Sequence, residues 1–213
     1  MEFKVKKISY FYNDNDIILQ NITIAAKKGD SLSISGLNGS GKTTLLKLLS
    51  GFIKPIKGTI TYCGKSIYTK GYREIMAYIP AEPCVFEGLT GIEHEGICID
   101  LWNLDEIEYN SEYMEICRIL NVTKHLNKKM SECSLGTKYK VYLALMLARR
   151  PKILFMDEPF SSMDEDSRKA VILYLKKIIP RTIIFFASHS DEIIKELANC
   201  RYKIENGVLY EEI

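Results

Sequence analysis

The segment Gly36-Leu37-Asn38-Gly39-Ser40-Gly41-Lys42-Thr43 constrains the fold more than any other stretch of the chain. It has the spacing G-x-x-x-x-G-K-[ST]. It follows a β-prone run, Ser31 to Ser35, and opens a short apolar helix, Thr43 to Leu49, that Gly51 stops. Such a loop cradles phosphate: glycines let backbone N–H groups curl around the oxygens, and the helix N-terminus adds partial positive charge. Lys42 is then expected to reach the β- and γ-phosphates, and Thr43 to offer its hydroxyl to Mg2+. The chain must therefore build an α/β sheet that ends in a nucleotide site.

A chain of 213 residues has room for one domain with a subdomain division. With 46% hydrophobic and 26% charged residues it is too apolar to stay disordered. Lys plus Arg number 29 against 27 Asp plus Glu, and the basic pairs are scattered, which disfavours a nucleic-acid partner. The six cysteines form no C-x-x-C pair and have no histidine at ligand spacing, so they are expected to be core hydrophobes in a reducing compartment. No apolar run approaches the roughly 20 residues that cross a bilayer, and the N-terminal segment lacks a signal-peptide pattern. The expected location is cytoplasmic, and any membrane role is expected to come through a partner.

Strands are expected at Phe3 to Ile8, Ile17 to Ile24 and Ser31 to Ser35, with a hairpin of Thr59 to Tyr62 and Lys65 to Tyr68 around Cys63-Gly64. From about Leu89 to Ala148 the pattern turns helical, clearest over Glu112 to Leu120 and Tyr139 to Ala148. Lys152 to Met156 and Thr182 to Ala187 are charge-free runs that suit a sheet buried on both faces. Asp164 to Ile179 is an amphipathic helix with an acidic start and a basic end. Asn206-Gly207 between Arg201 to Glu205 and Val208 to Glu212 signals a hairpin.

The run Ile153 to Met156 delivers two carboxylates, Asp157 and Glu158, at the end of its strand, where open α/β sheets bind ligands. Asp157 is expected to hold Mg2+ and Glu158 to polarise the water that attacks the γ-phosphate. Phosphate loop and carboxylate pair together read as a Mg-nucleotide site.

The order of the phosphate loop, Ser134-Leu135-Gly136 at a helix start, the Asp157-Glu158 strand, Ser162-Met163-Asp164 and the strand-end His189 resembles the nucleotide-binding subunit of ATP-binding cassette (ABC) transporters across essentially the whole chain. The resemblance implies a P-loop NTPase (RecA-like) core, with an N-terminal antiparallel β subdomain, over 1–82 and 149–213. It implies a helical subdomain over 83–148. It implies ATP as ligand, held by Tyr12 stacked on adenine and by the loop from Gly36 through Leu37, Asn38, Gly39, Ser40, Gly41, Lys42 and Thr43 to Thr44. Ser134 and Gly136 resemble the signature that closes on the opposite protomer's γ-phosphate, Ser161 to Asp164 the D-loop, and His189 the switch histidine. Lys42, Glu158 and His189 are then the catalytic set, with Thr43 and Asp157 at the metal.

Two motifs depart from the family pattern. Cys133 and Leu135 stand where the signature usually has Leu and Gly, and Ala81 in Tyr78-Ile79-Pro80-Ala81-Glu82-Pro83 stands where Gln is usual, with Glu82 next to it. The resemblance implies an ATPase pairing head to tail with a second copy, at the inner face of the cell membrane, and driving a separate transmembrane permease docked near Ala81 to Trp102. Glu82 to Thr90 resembles exporter-type members. A regulatory ATP-binding module with poor turnover is the alternative. Soluble non-transport relatives are the other, although the coiled-coil insertions or tandem cassettes typical of them do not fit this chain.

Overall fold

A computed structural model describes residues 2–12, 17–69, 71–161 and 163–212. The first strands, β1 (Glu2–Phe11) and β2 (Ile17–Lys27), run antiparallel, and β3 (Ser31–Ser35) leads into the phosphate loop and helix α1 (Lys42–Leu49). β4 (Lys57–Tyr62) and β5 (Lys65–Ser66) follow, then the short α2 (Tyr72–Ile75) and β6 (Met76–Ile79). Three helices come next, α3 (Gly91–Trp102), α4 (Glu106–Ile119) and α5 (Leu135–Ala148). The chain continues through β7 (Ile153–Asp157), α6 (Glu165–Ile178), β8 (Ile183–Ala187), α7 (Asp191–Leu197) and the hairpin β9 (Cys200–Glu205) with β10 (Val208–Glu212).

Two sheets result. An antiparallel sheet has the order β2-β1-β4-β5, and a six-stranded sheet has the order β10-β9-β3-β8-β7-β6, parallel except for β10. All residues of β7 and β8 are buried, as charge-free runs covered on both faces require. On one face Phe155 and Phe185 stack at 5.4 Å and pack with Phe3 of the antiparallel sheet and with Leu45, Leu46 and Leu49 of α1. On the other, Leu154, Met156 and Phe186 share one apolar cluster with Tyr139, Leu143 and Leu147 of α5 and with Val171 and Leu175 of α6.

The helices start where cap chemistry places them. Thr90 and Glu93 form a reciprocal capping box at α3, and Asp105, Ser134, Asp164 and Ser190 each accept a backbone N–H at the head of α4, α5, α6 and α7. Asn206 and Gly207 take φ 49° and 76°, as the hairpin turn demands. The Cys63-Gly64 hairpin is shorter than expected, its second strand stopping at Ser66 rather than Tyr68, because Thr69 Oγ1 turns back to the Ser66 carbonyl. The cysteine expectation needs correction. Cys98 and Cys117 are buried, whereas Cys63 and Cys84 are exposed and Cys133 and Cys200 half-buried; all six are free. Cys63 sits exposed in a turn with φ 48°. Among the described residues no helix is long and apolar enough to cross a membrane.

Candidate nucleotide site

The phosphate loop is bent into shape by glycines at left-handed φ. At Gly36 (φ 144°) a Cβ would stand 2.7 Å from the Ile204 carbonyl oxygen, and Gly41 (φ 105°) turns the chain directly into α1. No side chain caps α1, so its first N–H groups remain for a ligand. Lys42, 7% exposed, folds back across the loop: Nζ donates to the carbonyls of Gly36 at 2.9 Å and Leu37 at 3.1 Å. Burial lowers its pKa, opposed by the charges of Glu158 and Asp157.

A pocket of about 290 Å³ lies over the start of α1. Asn38, Gly39, Gly41, Lys42, Thr43 and Thr44 form one wall. Asp157 and Glu158 enter from the end of β7, His189 from just beyond β8, and Tyr12 from just beyond β1. Tyr12 Oη lies 3.3 Å from Thr44 Oγ1, and its ring, edge-on to Tyr10 at 5.1 Å, is 57% exposed and open to stacking. Gly36, Leu37 and Ser40 instead line a larger adjoining groove of about 1040 Å³, with the phosphate loop as the rim between the two hollows.

Asp157 is 5% exposed and accepts a long hydrogen bond, 3.4 Å, from Tyr78 Oη. Glu158 follows with φ 47°, a left-handed turn braced by its N–H on the Ala187 carbonyl and by the Ser161 N–H and hydroxyl on its own carbonyl. His189 Nε2 stands 3.2 Å from Glu158 Oε1, a buried oxygen without an aligned hydrogen bond. Burial raises the Glu158 pKa, with His189 and Lys42 pulling it down and Asp157 pushing it up.

Ser134 and Gly136 lie away from this pocket, at the outward-facing head of α5, where Ser134 Oγ accepts the Thr137 N–H at 3.2 Å. Leu135 projects there with 55% exposure, so its side chain turns outward at the position where glycine is usual. Asp164 caps α6 and pairs with Lys140 of α5 at 2.6 Å, a contact that holds its carboxyl well below the usual range. Ser161 is exposed, and Ser162 lies outside the described residues. Among the described residues neither Ala81 nor Glu82 lines the pocket. Tyr78 is the contact that sequence reasoning missed. Its only local sign was its place just ahead of the Ala81 loop.

The donor set fits a magnesium nucleotide. Thr43 and Asp157 supply hard oxygens to one pocket, Glu158 Oε1 is buried there without an aligned hydrogen bond, and no three His, Cys, Asp or Glu side chains among the described residues cluster as a metal cage. A divalent ion here would complete its shell from phosphate oxygens and water, as Mg2+ does.

The ABC transporter family model matches residues 19–161. The spermidine/putrescine import ATP-binding protein PotA of Thermotoga maritima is 32% identical over 87% of this chain and 50% of its own length. The glucosylceramide transporter ABCA12 of Mus musculus is 30% identical over 90% of this chain and 8% of its own length. The chain thus spans half or less of these curated relatives. A solved structure described as an ATP-binding subunit of an ABC transporter superposes with a TM-score of 0.92 at 25% identity, over 100% of this chain and 90% of that one. Family match, sequence relatives and fold agree with the chemistry of the pocket, and the chain belongs to the ABC transporter family, as one of its ATP-binding ATPase domains.

Proposed function

We propose that this chain hydrolyses ATP as one half of a head-to-tail pair of identical copies and so drives a separate transmembrane permease at the inner face of the cell membrane. The observation that carries the reading is the meeting of Lys42, Thr43, Asp157, Glu158 and His189, from two strand ends and one helix start, in a single pocket.

Lys42 and the N–H groups heading α1 bind and orient the triphosphate, and Tyr12 stacks on the base. Thr43 and Asp157 would hold Mg2+, which when bound neutralises phosphate charge. Glu158, the carboxylate whose burial favours its protonated form, accepts the proton of the attacking water. His189, at Glu158, keeps that carboxylate aimed. The location of Ser134 and Gly136, away from this pocket, supports a role for them at the phosphate of a partner copy, so that the complete site needs two chains. We assign 83–148 as the helical subdomain that carries this signature and, near Ala81 to Trp102, the permease contact.

Export is the direction we propose, on the likeness of Glu82 to Thr90 to exporter-type members; PotA, by its name, serves import. Mg2+-dependent phosphate release from ATP, measured with and without the permease in lipid vesicles, tests the coupling. Stimulation by the permease supports the reading, and hydrolysis indifferent to it counts against it. Substrate leaving the cytoplasmic side supports export, and uptake overturns it.

A further inference from the structure

Among the described residues Asp157 has a single side-chain hydrogen-bond partner, Tyr78 Oη. The sheet register explains the reach. β6 runs parallel to β7 with Tyr78 opposite Phe155, so Tyr78, Phe155 and Asp157 point to the same face and Asp157 stands two residues further along. The length of a phenol spans that step, whereas a phenylalanine ring there falls short of it by the hydroxyl.

Tyr78 is itself held from two sides. Its ring meets Phe52 edge-on at 5.1 Å. Among the described residues β6 is the last strand of its sheet, with no strand on its outer edge, and the Tyr78 carbonyl accepts from Tyr142 Oη at 3.1 Å instead. Tyr142 belongs to α5, the helix that Ser134 begins. Two phenol hydroxyls therefore run in series from the signature helix to the carboxylate at the end of β7.

We infer that Tyr78 is a positioning residue for Asp157, held in place from α5 by Tyr142. A hydroxyl donating to Oδ2 fixes the plane of the carboxylate and leaves Oδ1 for a ligand, the same service that outer partners give to metal-binding side chains elsewhere. The arrangement matters more here because Ala81, at the neighbouring loop, has no side-chain oxygen to contribute. The inference rests on the reading of Asp157 as the metal carboxylate.

The test is the factor by which Mg2+ tightens binding of a non-hydrolysable ATP analogue, read by calorimetry in Mg2+ and in chelator. Asp157→Asn serves as the reference and should bring this factor close to one. Tyr78→Phe, which keeps the ring against Phe52, should cut the factor about tenfold while leaving affinity in chelator unchanged. Tyr142→Phe should shift it the same way by about threefold. A folded Tyr78→Phe protein with the wild-type factor, beside an Asp157→Asn protein that has lost it, overturns the inference and leaves the Asp157 reading intact. Loss of affinity in chelator to the same extent as in Mg2+ also overturns it, since that marks a packing effect. If Asp157→Asn keeps the full factor, both readings fall.

Discussion

His189 Nε2 lies 3.2 Å from Glu158 Oε1, across the ends of two adjacent parallel strands whose register sets Asp157 opposite Ala187. Each residue sits one or two positions past its strand, so the sheet itself fixes their separation. A histidine that only filled space would be replaceable. His189→Ala should instead lower the ATP hydrolysis rate at least tenfold, a loss of about 1.4 kcal/mol in transition-state stabilisation, with ATP affinity within twofold of wild type. Steady-state turnover beside equilibrium binding makes the comparison, and an unchanged rate would remove His189 from the catalytic set.

Lys42 holds two carbonyls of its own loop and is the ammonium nearest the bound triphosphate in the proposed complex. Lys42→Ala should weaken Mg-ATP binding by tenfold or more. Its thermal midpoint should move by no more than about 8 °C, the scale expected from two lost hydrogen bonds in a domain of this size. Calorimetry and thermal melts decide it. Tight binding in a folded variant contradicts the phosphate-loop assignment.

Ala81 is half-buried and Glu82 exposed at the end of β6. If Ala81 occupies the ligand position of this loop, Ala81→Gln adds an oxygen and should raise Mg2+-dependent turnover about three- to tenfold, while Glu82→Ala changes little. The two variants assayed side by side give the answer. A loss confined to Glu82→Ala places Glu82 at the metal.

Much of this was readable along the chain because the signals were local. The phosphate loop, the runs through β7 and β8 and the Asn206-Gly207 hairpin all announce themselves within a few residues. Lys42, Thr43, Asp157 and Glu158 stand at the ends of those elements and could be named from them, whereas His189, just past β8, could be named only through the family resemblance. β6 was not marked as a strand, since only Met76 to Ile79 lie between the short α2 and Pro80. α3 was blurred for a different reason. It buries His94, Glu95 and Cys98 while exposing Ile92, Ile97 and Leu101, the reverse of the usual amphipathic pattern. Tyr78 escaped notice because its contact with Asp157 exists only once β6 pairs with β7, and that pairing joins residues about 80 positions apart.

That inverted face yields a stability prediction. Glu95 is 8% exposed, and burial followed by the nearby charge of Glu106 pushes its pKa up to about 7. A carboxyl raised on folding stabilises the native state below its unfolded value and loses that contribution as pH rises through the folded value. The window therefore runs from about 4.5 to about 7. Glu95→Gln should be more stable than wild type at pH 8 by roughly 1–2 kcal/mol, less than the full shift implies because the site borders solvent, with the gain vanishing near pH 4. Denaturant melts at the two pH values measure it, and a gain that is the same at both would mean the effect is packing rather than charge.

The most direct test of the account is hydrolysis by Glu158→Gln at saturating Mg-ATP. The amide keeps the shape and hydrogen-bonding length of the side chain but cannot take a proton from water. The account predicts that this variant binds ATP as tightly as wild type, cleaves it at least tenfold more slowly and, with ATP trapped uncleaved, elutes from gel filtration as a dimer. Cleavage at the wild-type rate with ATP bound would contradict it.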